Sequence, residues 1–179
     1  MTHIINPKIT SKQRSIIIGT ILGGSSIVKP KKGKNCYLSM RSKDLDWLKF
    51  KAKELNNLST KDPITSEKTY RWHSICYPLF NEFEDMFYEK KERTLKTEVL
   101  NLLQDVSLAV WYKDCGFLQK NQVVLNTHIW GKEGTEKTLE YFESLEWKAE
   151  IFTERKNYRI RLLENGSEEI LKMYNNLMA

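Results

Sequence analysis

Two apolar stretches of nine residues constrain this chain more than any other feature. The first, IIGTILGGS, runs from Ile17 to Ser25, and the second, LAVWYKDCG, from Leu108 to Gly116; their first residues stand 91 positions apart. Each places apolar residues at helical spacing and stops at small ones. Gly19 and Gly23 are four residues apart and therefore stack on one helix face. Helices approach backbone to backbone only where side chains are small. Gly19, Gly23 and Ala109 are therefore expected at a close helix–helix contact on the axis of a duplicated domain.

The chain downstream of each stretch supports the duplication. After the first come a short strand, Ser26 to Val28, and a basic tip, Lys29 to Lys34, punctuated by Pro30 and Gly33. The run NCYLSMR alternates, with Cys36, Leu38 and Met40 on one face and Tyr37, Ser39 and Arg41 on the other. Ser42 is an N-cap candidate for a helix over Lys43–Asn56, buried along Leu45, Leu48 and Ala52. Thr60–Ser66 is expected to be a loop. A strand follows, with Thr69, Arg71 and His73 opposite Tyr70 and Trp72. Pro78 then opens a helix with Leu79, Phe83 and Met86/Phe87 on its apolar face.

The second stretch is followed by the same order. Phe117–His128 is expected to be a strand pair or one long bent strand, with Gln122 and Asn126 on its polar side. A helix starts at Gly134 or Thr135 and runs through Leu145, burying Leu139, Phe142 and Leu145. Strands over Lys148–Thr153 and Tyr158–Leu163 flank a turn, and Arg159 and Arg161 lie opposite Tyr158, Ile160 and Leu162. Ser167 is expected to cap a last helix, Glu168–Leu177. The two halves, 11–92 and 93–179, each read α-β-β-α-β-β-α, an internal repeat. Antiparallel sheets of this kind need cover on one side only. The uncovered faces carry Tyr37, Ser39, Arg41, Arg71, His73, Gln122, Asn126, Arg159 and Arg161.

Composition narrows the partners. The net charge of +6 and a pI near 9.1 fit a polyanion. The three cysteines, Cys36, Cys76 and Cys115, form no CxxC pair, which argues against zinc and for a reducing compartment. The amino terminus shows no signal-peptide pattern, and the apolar run Ile16–Leu22 is too short to span a bilayer. The expectation is an intracellular monomer without a membrane partner, its compartment unassigned.

IIGTILGGSS resembles the LLxGLLLGDGS form of the LAGLIDADG motif, and SLAVWYKDCG resembles its LAIWFMDDG form. NCYLSMRSKDLDWLKF, the YRW strand and the NYRIRL strand extend the likeness over roughly Gln13 to Tyr174. The resemblance to this family of homing endonucleases and maturases implies an α+β fold: two αββαββα units related by a pseudo-twofold axis, with antiparallel sheets forming a saddle. It implies that the sheets lie in the DNA major groove, and that the two motif helices bring one acid each to the scissile phosphates, holding Mg²⁺. The eighth motif position, where that acid belongs, is Gly24 in one copy and Cys115 in the other. Asp114 precedes Cys115, about 100° around the helix.

The resulting expectation is a nucleic-acid-binding protein, for double-stranded DNA or structured intron or ribosomal RNA, with cleavage lost or strongly impaired. No metal site and no cofactor are expected, with Mg²⁺ required only if cleavage is retained. The expected contacts are Lys29, Lys31, Lys32 and Lys34 together with the nine sheet-face residues. Two alternatives stay open: an active metal-dependent endonuclease using Asp114 with Asp105 or Glu82, and a scaffold for protein contacts alone.

Overall fold

The computed structural model describes residues 6–179; part of the amino-terminal reading therefore lies outside the described residues. The chain divides into two compact units. One comprises residues up to Ile16 with Ser25–Met86, and the other Ile17–Gly24 with Phe87–Ala179. The first motif helix, α1 (Ser11–Leu22), passes from one unit into the other. Its start is a reciprocal cap: Gln13 N donates to Thr10 Oγ1 at 3.1 Å and Thr10 N to Gln13 Oε1 at 3.0 Å.

The first unit holds a four-stranded antiparallel sheet of β1 (Ser26–Val28), β2 (Tyr37–Ser42), β3 (Ile64–Ser66) and β4 (Thr69–His73), in the order β1-β2-β4-β3. Helix α2 (Leu45–Glu54) packs on β2 and β4, and α3 (Leu79–Phe87) closes the unit. Leu38, Met40, Trp72, Leu48, Phe80 and Phe83 are buried. Burying each such side chain contributes about 1.5–3 kcal/mol.

Three expectations are corrected here. Ser42 ends β2 rather than capping α2. The cap is Asp44, whose carboxylate accepts from Trp47 N at 2.9 Å, while Ser42 Oγ accepts from Asp44 N. The buried stripe of α2 is Trp47, Leu48 and Lys51, with Leu45 and Ala52 half-buried. Lys51 reaches 1% exposure because its stem lies along Trp47, the ammonium 5.4 Å from the ring centroid. Finally, Thr60–Ser66 is not all loop: Ile64–Ser66 forms the edge strand β3, through pairing with β4 that no local pattern announces.

The second unit follows a short hairpin, β5 (Tyr88–Glu89) and β6 (Glu92–Arg93), and one turn of helix, α4 (Thr97–Leu100). The second motif helix, α5 (Asp105–Cys115), leads directly into a sheet of β7 (Gly116–Gln119), β8 (Gln122–Asn126), β9 (Ala149–Glu154) and β10 (Asn157–Leu162), ordered β7-β8-β10-β9. The strand pair expected over Phe117–His128 is β7 and β8, which end at Asn126; His128 instead opens a 3₁₀ turn. Helix α6 (Gly131–Ser144) packs on β9 and β10, and α7 (Glu164–Met178) packs on α5.

Helix α6 begins at Gly131, earlier than expected, because a 3₁₀ turn, His128–Trp130, runs straight into it. Leu139 is half-buried and Leu145 is 39% exposed. Trp147 takes the place beyond the helix end instead, stacked on Phe142 at 5.7 Å. Ser167 lies inside α7 and caps nothing. Its buried hydroxyl accepts from Val123 N at 2.8 Å and donates to Leu162 O at 2.7 Å, tying the helix to two strands.

The architecture is α+β with antiparallel sheets, as expected. Among the described residues, no helix is long and apolar enough to cross a membrane.

Candidate nucleic-acid interface and motif-helix ends

On the first sheet, register brings the polar positions of β2 and β4 side by side. Ser39 lies opposite His73 and Arg41 opposite Arg71. Tyr37 meets the His73 ring edge-on, with centroids 5.6 Å apart. Burial first, and then the Arg71 charge, hold the His73 imidazole below its ordinary value. Like charges directly opposite on a sheet repel. Neither Arg41 nor Arg71 has an ion pair among the described residues. A face with two adjacent guanidiniums and no carboxylate partner suits an anion. Lys29, Lys31, Lys32 and Lys34 are exposed on the β1–β2 connection, where Lys29 reaches Glu84 at 3.6 Å.

The second sheet differs. Register puts Asn126 opposite Arg159, and Arg161 between Val124 and Glu150. Arg161 donates to Glu150 at 2.6 Å and to Gln119 at 3.1 Å, and its guanidinium lies 4.5 Å from the Phe152 centroid. Arg159 pairs with Glu154 and lies 5.3 Å from Phe117. Gln122 pairs across the hairpin with Gln119. None of the partners Gln119, Glu150, Phe152 and Glu154 is among the contacts expected from the sequence. The alternation of AEIFTE carries the signal, since Glu150, Phe152 and Glu154 share one strand face.

The motif-helix ends lie within the second unit. A Cβ placed on Gly19 would stand 2.4 Å from Ser107 O and 2.9 Å from Val110 Cβ; one on Gly23 would stand 2.3 Å from Asp114 Cβ. The α5 groups that meet the α1 glycines are therefore Ser107, Val110 and Asp114. Ala109 is buried, but none of its atoms is among those nearest to either glycine. Gly24 is exposed at φ +113°, and a Cβ there would meet open space. Two groups absent from the sequence reading close the end of α1. Trp130 Nε1 donates to Leu22 O at 3.3 Å, and Arg93 donates to Gly24 O at 3.3 Å and Ile21 O at 3.5 Å. The Arg93 guanidinium also lies 5.6–5.7 Å from the Tyr88 and Trp130 rings. A cation at a helix carboxyl end complements the helix dipole.

Cys115 ends α5. Its thiol donates to Asn126 O at 3.5 Å, and Asn126 Nδ2 donates to Cys115 O at 2.6 Å. Burial, and then the Asp114 carboxylate beside it, push the thiol up to about 12. It stays protonated at neutral pH and is a soft donor. This donor set does not fit Mg²⁺, which calls for oxygen ligands. Gly24 has no side-chain oxygen and its carbonyl accepts from Arg93, Cys115 supplies a protonated sulfur, and Arg93 sets a positive charge at the helix end. Asp114 is the one carboxylate at these positions. Asp105 sits in the first turn of the same helix, about 13 Å away along its axis. Glu82, in the other unit, pairs with Arg14 at 3.7 Å.

Known proteins share this arrangement of helices and sheets. The homing endonuclease I-WcaI bound to its DNA recognition sequence is similar over 96% of this chain and 84% of that chain, at 19% identity and a TM-score of 0.88. I-DmoI in complex with DNA and Mn is similar over 92% and 96%, at 15% identity and a TM-score of 0.62. The N-terminal LAGLIDADG domain of DUF199/WhiA is similar over 97% and 84%, at 10% identity and a TM-score of 0.56. At these identities the likeness is one of fold. No curated protein matches by sequence. The profile of the LAGLIDADG DNA endonuclease family matches residues 14–170, and the chain belongs to that family.

Proposed function

We propose that this chain is a nucleic-acid-binding protein derived from a homing endonuclease, gripping DNA or structured RNA through its sheet faces, with cleavage lost or strongly impaired. The observation that carries this reading is the pair of motif-helix ends. Gly24 has no side-chain donor and the Cys115 thiol is protonated and soft, where the family resemblance puts two carboxylates. Phosphodiester hydrolysis through metal needs charge neutralisation at both the attacking and leaving oxygens. A single carboxylate, Asp114, does not assemble that site. The Arg41–Arg71 pair and the basic β1–β2 connection support retained binding.

One observation favours a second reading. The Asp114 side chain lies against Gly23, at the end of α1, with Oδ2 3.2 Å from where a Gly23 Cβ would stand. In this reading Asp114 has taken over metal binding and the protein still nicks DNA.

Selection of bound sequences from random DNA and RNA pools, with and without Mg²⁺, separates the two. The expected result is a salt-sensitive ligand recovered equally with and without metal, and intact after incubation. Mg²⁺- or Mn²⁺-dependent nicking of the selected target, abolished by Asp114→Asn, would establish the second reading in its place.

A further inference from the structure

Three hairpins of the second unit turn on two residues each. The pairs Glu89↔Glu92, Gln119↔Gln122 and Glu154↔Asn157 leave Lys90–Lys91, Lys120–Asn121 and Arg155–Lys156 in the loops. All six residues have positive φ, between 47° and 72°. Two positive φ values in a two-residue loop mark a type I′ turn, whose favoured residues are Asn and Gly. Long side chains seldom adopt that backbone. The chain nevertheless places a cation at five of the six positions. All six residues are exposed, and none of the five cations is in an ion pair among the described residues. The sheet face shows the opposite arrangement, with Arg159 and Arg161 already matched by Glu154 and Glu150. In this unit the uncompensated positive charge sits at the turns, in a conformation that turn stability alone would assign to other residues.

We propose that these hairpin tips, Lys90–Lys91, Lys120 and Arg155–Lys156, bind the phosphate backbone of nucleic acid, while the paired arginines of the sheet face add orientation rather than net charge. This rests on the nucleic-acid-binding reading above. Backbone phosphates are bound by release of counterions, so tip cations leave their mark on the salt dependence of affinity. A guanidinium held against a carboxylate and a phenyl ring is fixed in direction, which suits contact with a base edge.

The test replaces tips by unstrained turns, in the full chain: Arg155→Asn with Lys156→Gly, and Lys120→Asn with Asn121→Gly. The probe is mixed-sequence duplex DNA, with affinity measured across a salt series and unfolding followed in parallel. The tip variants should melt at the same temperature or higher, yet bind more weakly. The slope of log affinity against log salt should fall by about 0.9 for each phosphate that is no longer neutralised. Arg161→Gln, which removes a cation Glu150 already neutralises, should change the slope less. Tip variants that keep the wild-type affinity and slope would overturn the assignment of the turns. A wild-type chain without salt-dependent binding to DNA or RNA would instead overturn the nucleic-acid-binding reading, and this proposal with it.

Discussion

Gly19→Ala tests the close approach of the two motif helices by the sign of its effect. In an open helix, alanine stabilises by about 1 kcal/mol relative to glycine. Here the added methyl would stand 2.4 Å from Ser107 O, where ordinary contact begins at 3.4 Å, and 2.9 Å from Val110 Cβ. The first obstacle is a backbone atom, which cannot step aside by changing rotamer. Relief requires the helices to separate by about 1 Å, and close-packed interiors give up dispersion energy on that scale. Overpacking of this kind costs about 1–3 kcal/mol or more. The helix-propensity gain of about 1 kcal/mol works against it; because a 2.4 Å approach to a backbone oxygen belongs at the upper end of the overpacking range, we expect a net destabilisation of about 2 kcal/mol. Urea unfolding followed by tryptophan fluorescence reports it, because Trp111, Trp130 and Trp147 lie in the same unit. A variant stabilised by the helix-propensity increment would refute the contact, and with it the placement of Asp114 beside Gly23.

Two further outcomes follow from buried groups. The thiols of Cys115 and Cys36 are both pushed up to about 12 from 9.0, chiefly by burial. Above pH 9 the unfolded chain releases these protons while the folded chain keeps them, so stability is unaffected below pH 9 and falls between 9 and 12; Cys115→Ala should flatten part of that fall in denaturation measured across pH. Ser167→Ala removes the acceptor of Val123 N and should destabilise by about 1–3 kcal/mol, read from the denaturation midpoint.

Most of the element order, and its repetition in the two halves, is legible in the chain alone because it rests on local periodicity; the edge strand β3, the β5–β6 hairpin and α4 are not. The alternation in NCYLSMR marks Leu38 and Met40 as buried, and both are. The small residues of the motif stretches announce close helix packing, and Gly19 and Gly23 show it. The identities of Gly24 and Cys115 also stand in the sequence, and so does the absence of a carboxylate at either position. Contacts between residues far apart in the chain follow only from the fold. Ser167 has the chemistry of a cap, yet Val123 and Leu162 claim its hydroxyl from two strands. Arg159 and Arg161 are equivalent to Arg41 and Arg71 by alternation, and only the pairing of β9 with β10 brings Glu154 and Glu150 beside them. Arg93 carries no local signal, because its partners at the end of α1 lie about 70 residues away. A side chain's type sets what it can bind, but the pairing of distant segments sets which partner is within reach, and at this site that pairing separates a neutral face from a charged one.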